Sequence, residues 1–340
     1  MKRILFSSLH PDSGKTALLL GYARSRAGAA GYVKPFGDRP YYKKKRLWDS
    51  DASLMTRALG LEENPDIITL GFDHSKVRYT YPGDTLTVRL REAAEKAEDG
   101  HGELLIEGGA TLASGASIGL DAVTMARALE AKLYVILAGD PDTVADGAYD
   151  LARRPFVEES FFGGLIINRI SEPDEFRRHH LPVVEAAGLT IAGLVPRDES
   201  ACALTTAYLA DELFVKVLAG EPATEPAVDS VVLGVMSATA AREDSDFRSR
   251  RKLLVTDGSR SDLIVAALES GAAGVLLAAD VPPEARVTAL AREKNIPLLL
   301  SSASLLDLVR RVKALKPLPS YRDPERLDRL GKLAAEYLTI

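Results

Sequence analysis

The chain has 340 residues, 46% of them apolar and 27% charged, with a formal net charge of −5 and a pI near 5.7. That length suggests two units, each able to bury a core, and the acidic balance argues against a general nucleic-acid-binding surface. A single cysteine, Cys202, excludes an internal disulfide or a cysteine metal cluster and fits a reducing, cytoplasmic setting. No apolar run approaches the roughly 18 residues of a membrane span, and His10, Pro11 and Asp12 cut short a secretory reading of the start.

In chain order, a buried strand over 3–7, centred on Ile4-Leu5-Phe6, leads into Ser8-Leu9-His10-Pro11-Asp12-Ser13-Gly14-Lys15-Thr16 and a helix over 15–26. A strand, a tight loop and a helix opening at Gly14-Lys15-Thr16 form a phosphate cradle. The loop N–H groups and the positive helix end face an anion. Lys15 is placed for β- and γ-phosphates and the Thr16 hydroxyl for magnesium. The first glycine of the usual G-x-x-x-x-G-K-[ST] pattern falls at position 9, where this chain has Leu9. Nucleotide binding is the expectation.

Further strands are predicted at 31–34, 103–107, 133–138, 164–168 and 190–195, with helices at 85–98, 120–129 and 143–153. This alternation predicts the α/β class: a P-loop parallel sheet with helices on both faces. Residues 60–82 are less regular and read as a surface connection or as a rim of the site. The one basic run, Lys43-Lys44-Lys45-Arg46, reads as a solvated loop or hairpin. A first domain is thus expected over 1–218. The stretch Gly220-Glu221-Pro222-Ala223-Thr224-Glu225-Pro226 then predicts a linker over 219–228. Strands at 230–235, 252–256, 274–277 and 297–300, with helices at 262–269, 284–294 and 304–315, predict a smaller α/β domain over 229–316. Pro324 opens a closing helix within 317–340.

Ligands of a parallel sheet bind at the carboxyl ends of its strands. Lys34-Pro35, Asp49-Ser50-Asp51, Glu107-Gly108-Gly109 and Asn168-Arg169 fall there and are expected to converge on the phosphate loop. Thr16, Asp51 and Glu107 supply the oxygen ligands that magnesium prefers. Lys34, beside Lys15, is placed to offset charge on a transferred phosphoryl group. Each group also has a plainer use. Asp51 suits the amino end of its helix, Lys34 a solvated strand end, and Asn168 a loop-bracing amide. Arg260 and Asp262 suit a helix cap, and His179-His180 a surface helix. Glu107, ending an apolar strand, needs a partner. Asn168-Arg169-Ile170-Ser171 departs from Asn-Lys-x-Asp, which argues against a GTPase.

Over roughly residues 2–215 the pattern resembles dethiobiotin synthetase, and more closely the dethiobiotin-synthetase-like module at the amino end of some phosphotransacetylases. The resemblance rests on Ser8-x5-Gly14-Lys15-Thr16, Gly31-Tyr32-Val33-Lys34-Pro35, Ser50-Asp51-Ala52 and Ile106-Glu107-Gly108-Gly109. Gly164-Leu165-Ile166-Ile167-Asn168 and Gly193-Leu194-Val195-Pro196 extend it. It implies ATP bound at Ser13, Gly14, Lys15 and Thr16, with Asn168 beside the adenine. Magnesium on Thr16, Asp51 and Glu107, Lys34 near the transferred phosphate, and a homodimer across the active-site edge are implied too. In that family a carboxylate or carbamate is activated by phosphoryl transfer and captured by an amine. The stretch from Gly109 to Asp121 lacks the Val-Pro step of true dethiobiotin synthetases and matches the phosphotransacetylase-associated version.

The second domain is similar to the DRTGG domain. Thr256-Asp257-Gly258-Ser259-Arg260-Ser261-Asp262 stands at its Gly-Asp-Arg-x-Asp step, and Ala278-Ala279-Asp280 replaces the Thr-Gly-Gly. No acetyl-transferring domain follows before Ile340, so a phosphotransacetylase of the long type is not expected. The expectation is an ATP-binding P-loop protein with magnesium-dependent phosphoryl transfer or hydrolysis, ligase-like toward a small carboxylate. The alternative is a non-catalytic nucleotide sensor acting through its DRTGG-like domain. Neither reading involves nucleic acid or membrane.

Overall fold

A computed structural model describes the whole chain except residues 27, 44, 63, 202, 225, 226 and 316. Cys202, on which the redox expectation rests, therefore lies outside the described residues. The chain divides into two units, Met1–Glu199 with Pro324–Ile340, and Ser200–Asp323.

The first unit is built on strands β1 (Lys2–Ser8), β2 (Ala30–Val33), β5 (Glu103–Glu107), β6 (Lys132–Ala138), β7 (Phe162–Ile170) and β8 (Ile191–Pro196). A separate hairpin pairs β3 (Pro40–Lys43) with β4 (Arg46–Asp49). The six-stranded sheet has the order β2-β5-β1-β6-β7-β8, and every pairing is parallel. Ile4, Leu5 and Phe6 of β1 are fully buried, as a central strand covered on both faces requires. After β1 the chain builds toward β5 and β2, and then resumes on the other side at β6. The carboxyl end of β1 is therefore the topological switch point, and the phosphate loop emerges there. Of the basic run, Lys43 ends β3, Arg46 opens β4 and Lys45 takes left-handed backbone between them, while Lys44 lies outside the described residues. Residues 60–82 carry two short helices, Pro65–Ile68 and His74–Thr80.

Helix α1 (Lys15–Ser25) follows the loop and is buried from Lys15 through Ala23. Such a helix needs cover on both sides, and the closing helix Pro324–Tyr337 supplies one of them. Gly21 and Gly331 allow the close crossing. A Cβ at Gly21 would lie 2.6 Å from the Leu330 carbonyl oxygen, and one at Gly331 would lie 3.1 Å from the Arg24 Cβ. An Arg24–Asp328 ion pair and a bond from the Thr339 N–H to the Ala192 carbonyl fasten the two ends of the segment. Gly21→Leu is expected to push the closing helix off α1 and cost about 1–3 kcal/mol by overpacking. A denaturation midpoint equal to wild type would show that the crossing is looser than described.

The second unit holds a five-stranded sheet, β10 (Ser230–Leu233), β11 (Lys252–Asp257), β12 (Gly274–Ala278), β13 (Leu298–Leu300) and β9 (Lys216–Ala219), in that order. Strands β10 to β13 fall where strands were expected and pair in parallel, whereas β9 adds to β13 antiparallel. Apolar clusters on both faces include Leu254, Leu263 and Val275 on one side and Leu209, Leu253 and Leu308 on the other. The unit thus begins at Ser200, ahead of the expected boundary at 218, because the helix Thr206–Leu213 and β9 pack and pair within it. The segment expected to be a linker over 219–228 belongs to this unit as well. The Ala223 carbonyl accepts from the Ala207 N–H, the Ala223 N–H donates to Thr206 Oγ1, and the Glu221 N–H donates to Asn295 Oδ1. Prolines and acidic residues mark it, but hydrogen bonds hold its described residues Glu221 and Ala223. Among the described residues no helix is long and apolar enough to cross a membrane.

Candidate active site

The loop after β1 is closed by its own side chains. The His10 carbonyl accepts from both Ser8 Oγ and Ser13 Oγ, each at 2.8 Å. Asp12 and Gly14 both take left-handed backbone, with φ of 61° and 89°. Gly14 ends the loop without a side-chain cap, and no acidic residue stands in the first turn of α1. The opening N–H groups of the helix are thereby left for an anion. A Cβ at Gly14 would lie 2.5 Å from Asn168 Nδ2, so the position demands glycine twice over. Leu9, at the site of the missing glycine, packs against the apolar core of the first unit.

Lys15 is 7% exposed and donates to Ser8 Oγ at 3.1 Å and to the Ala110 carbonyl at 3.0 Å. Burial lowers its pKa, opposed chiefly by Glu107. It is a cation held in the loop by neutral acceptors. Those acceptors satisfy its protons without neutralising its charge.

Thr16 and Glu107 come together as expected. Thr16 Oγ1 donates to Glu107 Oε1 at 2.7 Å, and Tyr32 Oη donates to Glu107 Oε2 at 2.8 Å. Glu107 ends β5 almost wholly buried, and burial pushes its carboxyl up to about 7 against the pull of Lys34. Burial, with Glu107 alongside, holds the Tyr32 phenol well above its usual value, so it stays a donor.

Asp51 and Lys34 meet in a different arrangement from the one expected. Lys34, fully buried just after β2, lies 2.6 Å from Asp38 Oδ1, 2.7 Å from Asp51 Oδ2, 3.1 Å from Asp49 Oδ1 and 4.0 Å from Glu107 Oε1. Arg39 Nη1 takes the other Asp51 oxygen at 2.8 Å. Burial drives the Lys34 pKa down, but Asp49, Asp51, Glu107 and Asp38 outweigh it and keep the ammonium charged. Burial drives Asp51 up, and Lys34 and Arg39 more than reverse it. Burial raises Asp49, and Lys34 offsets only part of that rise. The capping use weighed for Asp51 falls instead to Asp49, whose Oδ1 accepts from the Ala52 N–H at 3.1 Å. Its Oδ2 accepts from the backbone N–H groups of Asp38 and Arg39, which shapes the turn carrying both.

Carboxylate oxygens of Asp38, Asp49 and Asp51 lie within 4.8 Å of one another, a spacing that suits a cation, and the Lys34 ammonium serves them. Of the three expected magnesium ligands, Thr16 and Glu107 fit the role. The Thr16 proton is given to Glu107, which leaves the hydroxyl lone pairs for a metal. Asp51 joins them through Lys34, with each of its oxygens already facing a cation.

Asn168, near the end of β7, donates from Nδ2 to the Ser13 carbonyl at 2.9 Å, the loop-bracing use. Arg169, in left-handed backbone, donates to the Asp12 carbonyl at 2.8 Å. Sequence reasoning did not single out Tyr32, Asp38, Arg39 or Asp49 as chemistry, nor Arg169 as a loop brace. Asp49 and Arg169 stood in strand-end groups expected to converge on the loop, and Tyr32 in the Gly31–Pro35 stretch, each without a role of its own. In the second unit Arg260 makes no side-chain cap and instead donates to the Met236 carbonyl at 2.7 Å and pairs with Asp262. His179 is exposed, whereas His180 is half-buried with its ring centroid 5.7 Å from that of Phe176.

A six-stranded parallel sheet, a Gly-Lys-Thr loop at its switch point and a Thr16–Glu107 pair beside it define a P-loop module. The other unit is of a recognised type, since residues 208–315 match the family model of the DRTGG domain. The whole chain is similar to phosphate acetyltransferases. That of Nitrosomonas europaea is 22% identical over 349 residues, covering 96% of this chain and 49% of the relative. That of Deinococcus radiodurans is 24% identical over 360 residues, covering 99% and 50%. The chain therefore spans about half the length of these curated relatives.

Among solved structures, the MinC:MinD cell division protein complex of Aquifex aeolicus is 14% identical, with a TM-score of 0.38, over 59% of this chain and 84% of that one. The CBS and DRTGG domains of the Clostridium perfringens pyrophosphatase regulatory region are 18% identical, with a TM-score of 0.28, over 36% and 50%.

Proposed function

We propose that the first unit binds ATP and magnesium at Ser13, Gly14, Lys15 and Thr16. In this reading it transfers or hydrolyses the terminal phosphoryl group, with ligase-like activation of a small carboxylate as the reaction. The observation that carries it is the pairing of a buried, neutrally held Lys15 with a Thr16 hydroxyl already polarised by Glu107. Thr16 and Glu107 would hold the metal, which when bound offsets phosphate charge. Lys15 would exchange Ser8 and Ala110 for phosphate oxygens, a neutral pair of acceptors for charged ones. Asn168 keeps the loop backbone at Ser13 in place and, in this reading, lies beside the adenine. A homodimer across the phosphate-loop edge belongs to the same reading. The relatives named phosphate acetyltransferases handle an acetyl group and phosphate, which agrees with a small carboxylate as acceptor.

One observation favours a second reading, a nucleotide sensor acting through the DRTGG unit. Lys34, the group expected to offset charge on the moving phosphoryl, is fully buried among three aspartates. The two readings separate on turnover. ADP release from MgATP, accelerated by acetate or another short carboxylate, supports the enzyme. Tight binding without ADP release supports the sensor.

Glu107 gives either reading a pH signature. An acid raised to about 7 holds its proton below that pH and competes there with a cation. Magnesium-dependent ATP affinity is expected to rise as the pH increases through about 7 and to level off above it. Titrations at about pH 6 and about pH 8 check this. Equal magnesium effects at both would remove Glu107 from the metal site.

A further inference from the structure

Tyr32 lies in β2, two residues before Lys34, yet its use is unlike that of a core aromatic. It is 2% exposed, and its hydroxyl reaches across the β2–β5 pairing to Glu107 Oε2 at 2.8 Å. A phenol has one proton to give, and this one is given to a carboxylate that ends the neighbouring strand. The opposite oxygen of that carboxylate, Oε1, takes the Thr16 proton at 2.7 Å. Three elements, β2, β5 and α1, thus meet in one chain of hydrogen bonds, Tyr32 to Glu107 from one side and Thr16 to Glu107 from the other.

The polarity of this chain matters. With Oε2 occupied by Tyr32, Glu107 is fixed about its terminal torsion, a broad and easily turned one in a free glutamate. Oε1 is then aimed at Thr16, and the Thr16 hydroxyl is obliged to donate, so its lone pairs face away from Glu107. A cation ligand must present lone pairs. Without the Tyr32 hydroxyl, Glu107 can turn and Thr16 loses the partner that orients it.

Resting on the ATP–magnesium reading of this site, we infer that Tyr32 is a positioning residue for its cation-binding half, acting through Glu107 on Thr16. It touches neither nucleotide nor metal.

The test is calorimetric titration of wild type and Tyr32→Phe with ATP, with and without magnesium, together with electron paramagnetic resonance of Mn2+ in the ATP complex. Tyr32→Phe keeps the ring and removes the hydroxyl. It is expected to leave magnesium-free ATP affinity unchanged, to cut the affinity gained from magnesium about tenfold, and to broaden the Mn2+ signal. Equal magnesium gains in both proteins would overturn the inference while leaving ATP binding intact. So would an equal loss with and without magnesium, which would mark a general effect on the loop. Absence of any magnesium gain in wild type would instead overturn the site reading itself. Should Tyr32→Phe not fold by circular dichroism, nuclear magnetic resonance of wild type labelled with 13C at the tyrosine Cζ replaces it. A shift of the Tyr32 resonance when magnesium is added to the ATP complex supports action through Glu107, and an unmoved Tyr32 resonance overturns it.

Discussion

Lys34→Met is expected to destabilise the first unit by about 3–5 kcal/mol, the cost of leaving buried charges without their partner. Asp49 and Asp51 are each almost wholly buried, and Lys34 lies within 3.1 Å of both. Methionine keeps the length of the stem and removes the ammonium, so little packing volume is lost. What remains is like charge facing like charge, since Asp38 and Glu107 look into the same space. Arg39 still pairs with Asp51, whereas the Asp49 oxygens keep backbone N–H donors and lose their cation. Chemical denaturation measures the loss. Lys34→Met with Asp49→Asn should recover part of it, because the second change removes one of the stranded charges. A Lys34→Met protein as stable as wild type would mean that the aspartates do not carry their charges in the folded state.

Lys15→Met is expected to weaken ATP binding by about tenfold to a hundredfold, from a lost charge-assisted hydrogen bond of about 1.5–3 kcal/mol. Lys15 already has partners within the loop. Its partners there, Ser8 Oγ and the Ala110 carbonyl, are neutral, and the surrounding burial lowers its pKa. Phosphate oxygens improve on both counts, so more is gained on binding than is given up. The folded state loses little by the substitution. Ser8 Oγ keeps the His10 carbonyl, and Asn168 still braces the Ser13 carbonyl. Stability near wild type with affinity much reduced is the expected combination. The reverse would make Lys15 a structural lysine.

Much of this site was legible because it is written in strand ends. The Gly14-Lys15-Thr16 loop, Glu107 and Lys34 all lie at the carboxyl ends of strands, where apolar runs in the sequence stop. Which of them touch was not legible. Asp49 and Asp51 are two residues apart and chemically alike, and only the backbone path decides that Asp49 caps the helix while Asp51 pairs with Lys34 and Arg39. Tyr32 stands inside a strand, where an aromatic reads as core, and its hydroxyl finds Glu107 far along the chain.

The expected boundary at 218 and the unit boundary at Ser200 differ for a related reason. Proline and acidic residues over 220–226 have the composition of a linker, but hydrogen bonds to Thr206, Ala207 and Asn295 make the described part of that stretch a piece of the second unit. The closing helix was predicted as a helix, and amphipathicity alone does not say what its apolar face will cover. Gly21 in α1 and Gly331 in the closing helix are what let the two helices cross closely.

The most direct test of the central claim is calorimetric titration of wild type and Lys15→Met with ATP, with and without magnesium. The account predicts ATP binding by wild type, tightened by magnesium, and weakened by about tenfold or more in Lys15→Met with the fold intact. Wild type and Lys15→Met binding ATP equally, or neither binding it, would contradict the account and leave the phosphate cradle without a nucleotide to hold.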